Sequence, residues 1–271
     1  MTICIIAGKG DLPKMAIKKL QSEGEKFQLV LIADQDYDDE IKNYSHQIFP
    51  FGYIGHFLKF TKKNKISKIV MVGSVKKPSL SALKFDKMGM LLASEILKQK
   101  LFGDDNLLST IVNFFEKKGL KIIGIEEVID NLLVEKGVLG NIKPNKGNFQ
   151  DIEIGKNALK TTSDLDLGQS IIIQQKLIIA IEGLEGTDEL IKRSKKIHLD
   201  GGCKPVLIKM KKKNQSKKVD LPAFGIKTVK NLVQNNFSGA ALESGSCLII
   251  NRKEVVKYAN KNGIFILGVE N

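Results

Sequence analysis

The sequence predicts an α/β protein in two parts: an N-terminal Rossmann-like domain built on a parallel sheet, then a C-terminal domain of mixed α/β type. Three observations carry this. Through the first half, short apolar runs alternate with amphipathic helical patterns, the grammar of strand–helix–strand units in a parallel sheet. "CIIAGKG" sets Gly8-x-Gly10 directly between a strand and a helix, where such a sheet presents backbone N–H groups to phosphate. The second half joins apolar runs across short turns, as in "SIIIQQKLIIAIEG", the mark of hairpins among helices.

The elements follow in order. "ICIIA" is the first strand and "LPKMAIKKLQSEG" its helix; "FQLVLIAD" is a second buried strand. "HFLKFTKKN" reads as a helix leading into the strand "KISKIVMVG". "KFDKMGMLLASEILKQKLF" and "DDNLLSTIVNFFEKKG" are helices, and "LKIIGIEEVI" is a further strand. In the second of these helices Leu107, Leu108, Ile111, Val112, Phe114 and Phe115 form one apolar stripe, with Asp104 or Asp105 as N-cap and Gly119 as C-cap,. Residues 1–136 make the first domain. Residues 137–150, polar and rich in Gly, Asn and Pro, are expected to be the linker,. In residues 151–271, "GAALESGSCLIINR" reads as a second hairpin turning at Ser244-Gly245. Helices are expected near 226–236 and 252–262, and "IFILGV" ends the chain as a strand.

With 271 residues, 42% apolar and 27% charged, the chain is an ordinary folded protein with room for two domains,. No apolar run approaches the ~18 residues of a membrane span, and the N-terminus lacks the basic region of a secretory signal,. Cys4, Cys203 and Cys247 are far apart with no CxxC pair, so disulfide-framework and zinc readings fail and a reducing cytoplasm is expected. The formal charge is +13, and residues 201–271 hold 13 Lys+Arg against 4 Asp+Glu, so +9 of it. Such an excess attracts an anionic membrane surface, a phosphorylated small molecule or nucleic acid, or simply decorates a solvated surface. Only 6% of residues are aromatic and none is tryptophan, which argues against a specific nucleic-acid partner.

Candidate chemistry clusters at strand ends. Gly8 and Gly10 make a phosphate loop or a plain tight turn, with Pro13 where a dinucleotide fingerprint has its third glycine and Asp34 where a ribose-binding acid could sit,. A nicotinamide oxidoreductase is therefore one alternative. Gly73, Ser74 and Lys76 follow a strand on the crevice side,. Asp104 and Asp105 cap a helix or help hold Mg²⁺. "IEGLEGTDELIKR" is more pointed: Glu182, two glycines, and Thr187 or Asp188 as the N-cap of the next helix bring hydroxyl, carboxylate and free N–H groups together,. The histidines are scattered without ligand spacing. Finally, "KMKKKNQSKKVDLPAFG" sets the single acid Asp220 behind six lysines, expected to form a solvated loop.

In order and spacing, "IAGKGDLP", "GSVKKP", "GDDNLLSTIVNFFEKKGLKIIGIEEVI", "DLGQSIII", "AIEGLEGTDELIKR", "VDLPAFGIKTV" and "GIFILGVE" resemble the LpxI-type UDP-2,3-diacylglucosamine diphosphatases end to end. The resemblance implies a cytoplasmic or peripheral inner-membrane, homodimeric enzyme of lipid A synthesis. Its members hydrolyse UDP-2,3-diacylglucosamine to UMP and 2,3-diacylglucosamine 1-phosphate with a divalent cation such as Mg²⁺ or Mn²⁺, water attacking the glucosamine-side phosphorus. Carried onto this chain, it makes Asp220 the first catalytic candidate, as metal ligand or activator of water, with Asp188 as second carboxylate. It adds Gln169, Thr187, Gly8, Gly10, Asp11 and Leu12 as substrate contacts, beside Gly73, Ser74, Lys76, Glu182 and Lys209. Asp220, Asp188 and Asp104 are the metal candidates. A non-catalytic UDP-sugar-lipid binder is the remaining alternative.

Overall fold

The computed structural model describes residues 2–76, 83–101, 107–165, 167–212, 215–216 and 218–271. The chain divides into two compact units, Met1–Asp130 with Ser216–Asp220, and Asn131–Gln215 with Leu221–Asn271.

The first unit is built on five parallel strands: β1 (Thr2–Ala7), β2 (Phe27–Ile32), β3 (His46–Phe49), β4 (Ile66–Val72) and β5 (Lys121–Ile123), in the order β3-β2-β1-β4-β5. The winding reverses at β1, which lies between β2 and β4, so the loops after β1 and β4 meet at the switch point of the sheet. Cys4, Ile5, Ile69 and Val70 are fully buried, because helices cover both faces of such a sheet. Helix α1 (Asp11–Ser22) buries Pro13, Ala16, Ile17 and Leu20, the helical spacing that made it legible. Helices α2 (Asp39–Lys42), α3 (Ile54–Lys63), α4 (Lys87–Leu101) and α5 (Leu107–Lys117) complete the unit. Gly119 beyond α5 has φ 84°, the left-handed conformation expected of a C-terminal glycine,. The expected caps Asp104 and Asp105 lie outside the described residues.

The second unit carries a six-stranded mixed sheet in the order β6-β13-β11-β9-β7-β8. Its strands are β6 (Gly137–Val138), β7 (Ser170–Gln174), β8 (Leu177–Ile181), β9 (Val206–Lys209), β11 (Gly239–Glu243) and β13 (Phe265–Val269). β9, β11 and β13 run parallel, while β6 and β7 pair antiparallel at either side. Helices α6 (Lys146–Thr162), α7 (Thr187–Ser194), α8 (Ile226–Gln234) and α9 (Arg252–Lys261) complete it. β10 (Ala223–Phe224) and β12 (Leu248–Ile249) form a separate parallel pair.

The hairpin expected at 170–181 forms, as β7 and β8. Its turn residues Gln175 and Lys176 have φ of 49° and 68°, strained for side-chain-bearing residues. Asp151 of α6 compensates by accepting from both N–H groups, at 3.2 and 2.7 Å. The second expected hairpin does not form. β11 lies between β9 and β13, and β12 pairs with β10. All five residues of β11 are buried, the signature of a central parallel strand rather than of a hairpin arm with one wet face.

The stretch read as a linker, 137–150, is part of the second unit, whose boundary falls between Asp130 and Asn131. Gly137 and Val138 pair with β13, Leu139 N–H donates to Ile266 O at 2.8 Å, and Asn145 caps α6 through the Asn148 N–H at 2.9 Å. Its Asn and Gly residues serve a cap and turns, which composition alone does not separate from a flexible joint. Among the described residues no helix is long and apolar enough to cross a membrane.

Candidate active site

A buried polar cluster of the second unit sits at the start of α7. Ser170 on β7 and Lys209 on β9 are register partners. They lie on the sheet face that carries Ile172 and Leu207, which pack with Leu190 and Ile191 of α7,. The loop after β8 brings Glu182 and Thr187 over that pair. Thr187 Oγ1 donates to Glu182 Oε1 at 3.1 Å, accepts from Lys209 Nζ at 2.9 Å and lies 3.1 Å from Ser170 Oγ. All four residues are at most 9% exposed. Thr187 Oγ1 is the one acceptor Lys209 meets among the described residues, leaving two of its ammonium hydrogens uncommitted. Glu182 Oε2 is buried with no hydrogen-bond partner, a costly state that a bound cation or ligand donor would relieve.

Gly186, at φ 81° with no side-chain cap, is the N-cap of α7, not Thr187 or Asp188 as expected. Those two are the first helical residues, so the Thr187 hydroxyl is free to turn inward and the first-turn N–H groups face outward from the helix end. Asp188 meets the start of α8: Lys227 Nζ lies 2.8 Å from Oδ2, and Thr228 Oγ1 donates to Oδ1 at 3.4 Å. Burial alone would raise the Asp188 carboxyl, but Lys227, the Asn231 amide and the Lys209 charge outweigh it and hold it below the usual carboxylate range. Asn231 is buried and its Nδ2 lacks a well-formed hydrogen bond.

Sequence reasoning missed Ser170, Lys227, Thr228 and Asn231. A signal existed in α8, where Thr228 and Asn231 are buried beside Val229 and Leu232, polar groups interrupting an apolar stripe.

The lysine stretch is not uniformly solvated as expected. Lys209 is buried, and Lys211 folds back, its Nζ donating to the carbonyls of Lys212 (2.9 Å) and Gln215 (3.2 Å). Glu243 accepts from Lys211 N–H at 2.7 Å. Gln169, expected to touch substrate, also secures this loop: its carbonyl accepts from Met210 N–H at 2.9 Å and its Oε1 from Gln215 Nε2 at 3.2 Å. Asp220 is exposed, and its N–H donates to Ser216 O at 3.1 Å.

In the first unit the loops after β1 and β4 come together as expected, but four of their amides already have acceptors. Gly8 N–H donates to Val72 O (2.7 Å), Lys9 N–H to Ser74 O (2.8 Å), Ser74 N–H to Lys9 O (2.9 Å) and Gly10 N–H to Asp38 Oδ2 (3.3 Å). A Cβ on Gly8 would stand 2.4 Å from the Ser74 carbonyl oxygen, so glycine is required for this stitch. Gly73 (φ 92°) makes the turn on the other side. Asp11 begins α1, pairs with Lys14 at 2.8 Å and precedes the half-buried Leu12. Lys76 is exposed and paired with Asp36. Asp34 is exposed in a turn at φ 61°. Two carboxylates at this helix start leave it poorly suited to a dinucleotide pyrophosphate.

Among the described residues no three His, Cys, Asp or Glu side chains gather as a ready-made metal centre. Mg²⁺ commonly binds through one or two carboxylates plus substrate phosphate. The orphaned Glu182 Oε2 fits that need, whereas Asp188 would have to give up Lys227. Asp104 lies outside the described residues.

Two family models match the chain, the LpxI N-terminal domain over residues 2–132 and the LpxI C-terminal domain over residues 135–267. The chain belongs to the LpxI family. The join between the two LpxI domains falls within a few residues of the division between the compact units at 130 and 131. A curated relative, UDP-2,3-diacylglucosamine pyrophosphatase LpxI of Caulobacter vibrioides, is 28% identical over 271 residues, covering 98% of this chain and 96% of the relative.

Proposed function

We propose that this LpxI-family chain is a hydrolase that cleaves the pyrophosphate of UDP-2,3-diacylglucosamine in lipid A biosynthesis, releasing UMP and 2,3-diacylglucosamine 1-phosphate. The observation that carries the reading is the presence of both LpxI domains, in order, in a chain that aligns end to end with a pyrophosphatase of that name.

The chemistry of the buried cluster supports it. Phosphoric-anhydride cleavage needs charge neutralised on phosphate oxygens and water held in line. Lys209 offers a cation pre-oriented by Thr187, and the start of α7 adds outward N–H groups,. A divalent cation, Mg²⁺ or Mn²⁺, would be held by Glu182 together with substrate phosphate, Asp188 joining only where Lys227 gives way. When bound it supplies Lewis-acid polarisation of the phosphoryl oxygens. Asp220 is proposed, on the family resemblance alone, as the group that activates the water attacking the glucosamine-side phosphorus. The nicotinamide reading loses support from the occupied loop amides after β1. Homodimerisation and attachment to an anionic membrane surface belong to the same proposal, tested by sedimentation and by flotation with anionic against neutral vesicles.

Asp220→Ala is expected to abolish UMP release while substrate still binds. Wild-type UMP release from that variant would remove Asp220 from the mechanism, and binding without turnover by the unaltered protein would favour a carrier.

A further inference from the structure

Residues Ser216–Asp220 group with the first unit, although the chain on both sides of them, up to Gln215 and from Leu221, groups with the second. Among its described residues, two interactions seat this stretch and a third closes it on itself. Val219 packs against the apolar core that contains Val112 and Phe115 of α5. Lys218 Nζ lies 2.6 Å from Glu116 Oε1, in the last turn of α5. Asp220 N–H closes the stretch on Ser216 O at 3.1 Å. An exposed carboxylate thus follows directly on an apolar anchor and an ion pair.

We infer that Ser216–Asp220 is a strap and that Glu116, Lys218 and Val219 are positioning residues that latch it to α5 so that Asp220 is presented in one orientation. The inference rests on the reading of Asp220 as a catalytic group. An exposed side chain on an unanchored loop samples many orientations, and a misplacement of about 1 Å in a reacting constellation costs on the order of 10²-fold in rate. Glu116 also lines a polar cavity of about 410 Å³ with Glu95, Thr110, Asn113 and Lys117. Lys218 therefore meets one of two carboxylates gathered there, a setting that favours the pairing over free solvation of its ammonium. Lys218 and Glu116 side chains are 44% and 35% exposed. Deleting a pair so exposed changes little, which makes charge reversal the sharper perturbation.

The test compares Glu116→Lys, Lys218→Glu and the double reversal with wild type and Asp220→Ala. Steady-state UMP release, melting temperature and hydrogen–deuterium exchange over 216–220 are read for each. Each single reversal is expected to lower kcat about fivefold, the reach of a latch at the upper end for a surface pair. KM and melting temperature stay near wild type, and exchange over 216–220 accelerates. The double reversal restores both kcat and protection, which a merely structural lesion would not do. Lys218 lies on a surface stretch, so its variant keeps the test valid even where the helix substitution perturbs folding. Single reversals with wild-type kcat, or a double that is not rescued, overturn the strap while an inactive Asp220→Ala leaves the catalytic reading standing. A fully active Asp220→Ala overturns both.

Discussion

Replacing Thr187 by valine keeps the outline of the side chain and removes one oxygen. That oxygen bonds Glu182 Oε1 at 3.1 Å, Lys209 Nζ at 2.9 Å and Ser170 Oγ at 3.1 Å, in a cluster at most 9% exposed. Two of the three partners are ionised side chains, and a hydrogen bond to a charged group contributes about 1.5–3 kcal/mol net. Glu182 Oε2 is already without a partner, so the substitution leaves the whole carboxylate unsatisfied and strips Lys209 of its acceptor. Summed, with some allowance for relaxation, the expected loss is on the order of 3 kcal/mol, a large share of the roughly 5–15 kcal/mol that holds a domain folded. Urea denaturation followed by far-ultraviolet circular dichroism should show a midpoint lower by about 1–2 M, at the usual slope for a unit of this size. Thr187→Ser keeps the oxygen and should fall within about 1 kcal/mol of wild type. A valine variant as stable as the serine variant would refute the network as the organiser of this site.

Two further outcomes follow from the first unit. Gly8→Ala drives a methyl to 2.4 Å from the Ser74 carbonyl oxygen, so the β1 and β4 loops must part. A loss of about 1–3 kcal/mol is expected, by the scale of overpacking, and an unchanged melting temperature would contradict the close approach. Asp86 accepts from Gly89 N–H (2.8 Å) and His56 N–H (3.1 Å) and lies 3.0 Å from His56 Nδ1. Burial alone would raise its carboxyl, but these donors and the Gly55 N–H hold it down at about 2. Its contribution to stability is therefore present above the unfolded value near 3.9 and is lost as pH falls through about 2,. Melting temperatures of wild type and Asp86→Asn should converge across that window, and parallel curves would exclude the linkage.

The parts of the fold legible in the sequence are those where periodicity and turn chemistry agree. α1 shows a helical stripe bounded by glycine, and β7–β8 shows two apolar runs three residues apart. β3, four residues long with the pattern half-buried, exposed, exposed, half-buried, offers no such stripe and was missed. β11 and β12 share an apolar run broken by Ser244-Gly245, and only tertiary pairing assigns them to different sheets. At the site, Glu182, Thr187 and Asp188 were within reach because a strand end, two glycines and a helix start bracket them. Ser170 and Asn231 were not, because a buried serine in a strand and an asparagine in a helix look local until the sheet register and the packing of α7 on α8 bring them in. The buried state of Lys209 was hidden by the lysines that follow it, since composition cannot tell the one on the inner face of β9 from those beyond the strand's end.

The most direct measurement incubates the protein with UDP-2,3-diacylglucosamine and a divalent cation in ¹⁸O-water and weighs the products. The account predicts UMP without label and 2,3-diacylglucosamine 1-phosphate carrying one ¹⁸O, with no product from Asp220→Ala. Label in UMP would contradict the assigned phosphorus, and absence of both products would contradict the proposed activity itself.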